Sequence, residues 1–114
     1  NQRGELVKPT AESISAAASG EIPADTRTSI TNSDAAGAYP IATFTWMIIY
    51  KEQNYSDRSK EQATATLDLL QYILSNEAQD ITSEVHYAPL PAKAKELSMK
   101  NLKTVTYDGM PILQ

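Results

Sequence analysis

At 114 residues, with 41% hydrophobic and 21% charged residues, the chain has the size and composition of one folded unit rather than of a disordered segment. A formal charge of −4 argues against the clustered Lys and Arg that a nucleic-acid footprint requires, so no nucleic acid is expected as a partner. With no Cys, disulfides, cysteine–zinc sites and thiol nucleophiles are excluded.

The opening residues, NQRGELVKPT, show neither a Met start nor the apolar core of a signal peptide, and they read as a chain cut from a longer precursor. PTAESISAAASG then spells a short helix. Thr10 can cap it, Glu12 lies at the positive end of its dipole and Gly20 can close it. Ile14 is its one large apolar residue, so this helix can bury little. Residues 21–37 are polar and turn-rich, with one short strand expected over Thr28 to Thr31.

AYPIATFTWMIIYKEQ, residues 38–53, is the most apolar stretch and holds the sole Trp and the sole Phe. The run from Ile41 to Tyr50 is far shorter than the ~20 residues that cross a bilayer. Its β-rich, near-continuous apolarity predicts a strand at the centre of a sheet, covered on both faces, with Phe44 and Trp46 in the core. Pro40 suits a strand start and a rigid hinge equally.

The period then changes. Ala63, Leu67, Leu70 and Leu74 fall on one face of a helix expected over 56–76, capped by Ser56 or by Ser59, the latter with Gln62 in capping-box spacing. A further short helix is expected over 77–84, interrupted by Tyr87-Ala88-Pro89-Leu90-Pro91, a helix-breaking loop expected to pack its Tyr. Helical spacing resumes through Ala94, Leu97, Met99 and Leu102, and its lysines (Lys93, Lys95, Lys100, Lys103) share no single face, as on an ordinary solvated surface. TVTYDGMPIL alternates polar and apolar residues around an Asp108-Gly109 turn signal.

Chemistry is sparse. His86 is the only His, so no metal site is expected, and a surface or structural role suits it best. No carboxylate pair is marked by an apolar setting, and the glycines at 4, 20, 37 and 109 form no phosphate loop. No catalytic residue, no cofactor and no enzymatic activity are expected.

The order LVKPTAESISAAASG, ITNSDAAGAYPIATFTWMIIYKEQ, ATLDLLQYIL, YAPLPAKAKEL and DGMPIL resembles the C-terminal third of the substrate-binding proteins of phosphate ABC transporters, across nearly the whole chain. The resemblance implies an α/β fold, the C-terminal portion of a type 2 periplasmic-binding-protein architecture. On that reading residues 1–37 end the second lobe, 38–44 cross the hinge with Tyr39, Pro40 and Ile41, and 45–114 complete the first lobe with Ile41 to Tyr50 as return strand. It also implies capture of inorganic phosphate by a full-length parent and delivery to membrane permease subunits, in the periplasm or otherwise outside the cytoplasm, with or without a lipid anchor. The family's ligands (early Ser or Thr positions, an Asp, an Arg beside a Ser-Gly-Thr turn) map onto nothing here, since Arg3, Arg27 and Arg58 lack that turn. No phosphate ligand is therefore expected in this segment.

Competing readings are a self-contained α+β interaction domain, a binding protein for another oxyanion such as sulfate or molybdate, and an enzyme domain whose catalytic residues lie elsewhere. A return strand without neighbours would expose apolar surface and open edges, so the isolated chain is expected to self-associate.

Overall fold

A computed structural model describes all residues from Asn1 to Gln114. The chain runs α1 (Ala11–Ala17), α2 (Lys60–Ile73), α3 (Asn76–Ile81), a 3-10 turn (Thr82–Val85), α4 (Ala92–Leu102), β1 (Thr106–Tyr107) and β2 (Met110–Pro111). This is mixed helix with a small sheet, in keeping with an α/β segment. The molecule measures 52 × 27 × 23 Å with a radius of gyration of 16.4 Å. A compact domain of this length would have about 13 Å, so the chain is drawn out, and the reason lies in how its apolar residues are divided.

There are two small cores. The first joins Ala17, Ala18, Ile30, Ala38 and Ala42, with Ile14 and Phe44 packed at its edge. Thr10 starts α1 in a reciprocal box with Ser13: the Ser13 N–H donates to Thr10 Oγ1 at 3.2 Å and the Thr10 N–H to Ser13 Oγ at 2.9 Å. The helix ends at Ala18 rather than at Gly20, where the sequence suggested, because the carbonyls of Ser15 and Ala16 are already taken up by the Ala18 N–H. Thr28 to Thr31 is not a strand; Ile30 alone is buried, and the segment pairs with nothing along its length.

The second core joins Leu67, Leu70, Leu102 and Val105, with Ile49, Ile73, Leu74 and Ile112 against it. The stripe read from the sequence is the face α2 turns to α4, and Ala63 and Leu67 are fully buried. The box at its start is the Ser59 and Gln62 pair: Ser59 Oγ accepts from the Gln62 N–H at 3.2 Å and Gln62 Oε1 from the Ser59 N–H at 3.0 Å. Ser56 is not the cap; it and Asp57 occupy the left-handed region, turning the chain into the helix. β1 and β2 pair antiparallel about Asp108 and Gly109, both with positive φ, the two-residue turn that Asp-Gly favours.

Between the cores lies the segment expected to be a central strand, and here the structure departs from the sequence reading. No backbone N–H or carbonyl of residues 43–50 bonds to another backbone group. Trp46 is 44% exposed, Met47 61%, Ile48 94% and Tyr50 70%. A strand needs a neighbour for its ladder, and the only sheet in the chain is the two-residue hairpin at its end, which reaches no further back than a single parallel bridge from Thr106 to Glu52.

Candidate functional site

The region around residues 43–58 gathers the features that could act on another molecule. Its foundation is Glu52. Oε1 accepts from the N–H groups of Asn54 and Asp108, both at 2.9 Å, and Oε2 accepts from the Thr106 hydroxyl at 2.7 Å and the Gly109 N–H at 3.0 Å. These donors, the Thr106 hydroxyl foremost, favour the carboxylate and hold its pKa down at about 2. With its lone pairs directed at the hairpin, Glu52 is a clasp between the extended segment and the chain end. Asn54 Nδ2 adds a bond to the Asp108 carboxylate.

Gln53 is the next link. Its side chain is buried and donates to the Tyr50 carbonyl at 2.5 Å, while its N–H donates to the Thr106 carbonyl and the Lys51 carbonyl accepts from the Thr106 N–H, both at 2.8 Å. Residues 51–53 are thereby fixed as one short stretch of strand. Outside it, Tyr50 and Tyr55 meet edge to face at 4.9 Å, and the Arg58 guanidinium lies 5.8 Å from the Tyr55 ring centroid. Arg58 donates from Nη2 to the Gln62 carbonyl and to the Thr66 hydroxyl, and its own carbonyl accepts from the Tyr107 hydroxyl at 2.8 Å.

At the other end, Trp46 lies edge to face with Phe44 at 6.1 Å and donates from Nε1 to the Thr26 carbonyl at 3.2 Å. Trp46 is thus a half-open lid on the first core rather than the buried residue its apolarity suggested; Phe44 is half-buried. Of the hinge candidates, Tyr39 is tied to α1 through its N–H to the Ser13 carbonyl at 2.9 Å. Pro40 accepts at its carbonyl from the Asn32 N–H at 2.8 Å, and Ile41 projects with 76% exposure.

The three arginines stand apart. Arg3 reaches the Asp34 carbonyl at 3.4 Å, Arg27 pairs with Asp25 at 2.8 Å, and Arg58 is engaged as described. The Arg27 guanidinium holds the Asp25 carboxyl below its ordinary range. No group of His, Asp and Glu side chains is arranged to hold a metal ion. His86 sits on the surface in a left-handed conformation that closes the 3-10 turn. The Tyr87 to Pro91 loop breaks the helical run as expected, but Tyr87 is 68% exposed rather than packed. The loop is instead held by Gln79, whose Oε1 accepts from the Leu90 N–H at 2.6 Å and whose Nε2 donates to the Ile73 carbonyl at 2.8 Å.

Over 94 residues, 80% of its length, the chain is 35% identical to the phosphate-binding protein PstS of Xylella fastidiosa strain Temecula1, and 34% identical to that of strain 9a5c. It is 27% identical over 114 residues, 92% of its length, to the phosphate-binding protein PstS of Methanocaldococcus jannaschii. The resemblance read from the sequence is borne out: across most of its length the chain is a relative of the phosphate-binding proteins. It spans about a quarter of their length, 24% for the Xylella proteins and 29% for the archaeal one. No protein-family model and no solved structure matches the chain.

Proposed function

We propose that this chain is a C-terminal segment of an extracytoplasmic solute-binding protein that captures inorganic phosphate and passes it to an ABC-transporter permease, with no catalytic role. The observation that carries the reading is the pairing of two facts. The chain is similar over most of its length to phosphate-binding proteins of which it covers only about a quarter, and its most apolar segment lacks any ladder partner within the chain. An unpaired apolar strand suits a sheet supplied by the rest of such a protein.

On this reading residues 1–37 end one lobe of a type 2 periplasmic-binding-protein fold, 38–44 form the crossing with Tyr39, Pro40 and Ile41 as hinge, and 45–114 belong to the other lobe. The division between the two cores falls near that crossing and supports it. The segment contributes support and closure geometry, and the phosphate ligands lie outside it. No helix of the chain is long and apolar enough to cross a membrane.

The test is a chimera in which residues 1–114 replace the matching segment of the Xylella phosphate-binding protein, titrated calorimetrically with phosphate and with sulfate beside the isolated chain. Phosphate binding by the folded chimera, with silence from the isolated chain, is expected. A folded chimera that binds no phosphate overturns the family reading. Tight binding of either anion by the isolated chain overturns the assignment of ligands elsewhere.

A further inference from the structure

Two hydrogen bonds, and no ion pair, join residues 1–42 to residues 45–114, and both end on one turn. The Trp46 indole Nε1–H donates to the Thr26 carbonyl at 3.2 Å, and Asn101 Nδ2, on the last turn of α4, donates to the Ala24 carbonyl at 3.0 Å. Donors from two distant places in the chain thus meet acceptors two residues apart. The turn is held by its own bonds. Its Thr26 N–H donates to the Pro23 carbonyl at 2.8 Å, with Thr26 at a φ of 61°, and the Asp25 carboxylate accepts from the Arg27 N–H at 3.1 Å and from Arg27 Nε at 2.8 Å. With those groups used inside the turn, the Ala24 and Thr26 carbonyls face outward at a fixed spacing.

We propose that the Pro23–Arg27 turn is a strap between the two lobes, gripped by Trp46 and Asn101 when the lobes are together and released when they part. This rests on the division of lobes proposed above, which puts the turn on one side of the crossing and both donors on the other. The two apolar cores share no residue, and beside the turn Gly20, Glu21, Ile22, Pro23 and Lys93 line an open cleft. The strap can therefore let go without uncovering a core.

Magnitude fits a reversible contact. On release, water takes up the two donors and the two carbonyls, so each bond favours the joined arrangement by only about fivefold, and the pair by about thirtyfold. That bias shifts an equilibrium between joined and parted lobes without locking it. Because both donors hold one stiff turn, losing either loosens the other's grip. Trp46, the sole Trp, gives that loosening a single observable proton.

Hydrogen exchange of the Trp46 indole N–H, followed by NMR on the 114-residue chain, tests the strap in Asn101→Ala and in Asp25→Ala, which loosens the turn itself. Neither residue is buried, and unchanged amide exchange from Leu97 to Lys100 verifies that α4 is intact. Exchange about fivefold faster than in the wild type is expected in both variants; exchange unchanged in both overturns the strap. In the chimera with the Xylella protein, Asn101→Ala is expected to weaken phosphate binding by up to about fivefold, through faster release. Unaltered phosphate affinity there overturns the role in closure. A folded chimera without Asn101→Ala that binds no phosphate overturns the family reading instead, and indole exchange in the isolated chain, which needs no phosphate, decides the strap.

Discussion

The Glu52 carboxylate and the Thr106 hydroxyl lie 2.7 Å apart, although 54 residues separate them in the chain. That bond, with three backbone N–H groups around it, secures the last ten residues to the end of the extended segment.

Because those four donors depress the Glu52 pKa to about 2 from an ordinary 4.5, the clasp has a definite pH dependence. A carboxyl with a lowered folded-state pKa adds stability above its unfolded value, and that contribution disappears as pH falls through the folded one. Wild-type chain is therefore expected to exceed Glu52→Gln in thermal midpoint at neutral pH. The gap should narrow between about pH 4.5 and pH 2. A gap that stays constant across that window would show that charge plays no part.

Leu67 is fully buried between α2 and α4. Leu67→Ala removes apolar contact and leaves a void, and it is expected to lower urea-unfolding stability by about 3 kcal/mol. An effect below about 1 kcal/mol would mean that the second core collapses around the change.

Gln79 is a buried polar residue with both ends of its amide in use, at Ile73 and Leu90. Gln79→Leu fills the space but strands a carbonyl and an N–H, at a cost of about 2 kcal/mol. Its loop-specific signature is faster exchange of the Leu90 amide; unchanged exchange there would remove Gln79 as the anchor of the loop.

Ser59→Ala opens the capping box at the start of α2. The expected loss is about 1 kcal/mol, with fraying confined to the first turn as seen in amide exchange from Lys60 to Ala63.

Local structure was legible where the signal was local. Ser59 and Gln62, the Leu67 and Leu70 stripe, and Asp108-Gly109 each act within a few residues, and each took the form that its spacing implied. What could not be read depends on partners far along the chain or outside it. Trp46 and Ile48 carry the composition of a buried strand, but burial needs a covering surface, and the chain has no other sheet to provide one. Glu52 looked like any of 14 acidic residues, because its donors come from residues 54 and 106–109. Gln53 and Gln79 carry no local signal of burial; only the backbone groups they satisfy explain it. The hinge candidates were named by resemblance, and Tyr39 and Pro40 turn out to be laced to α1 and to the Asn32 turn.

The separation of Ala17, Ile30 and Ala38 from Leu67, Leu70 and Leu102 also bears on cooperativity. Two apolar clusters that share no residue, joined by a stretch without ladder bonds, need not open together. Residues up to Phe44 can melt while α2 and α4 stay packed, so heating should release this chain in two waves, the small alanine-lined cluster first.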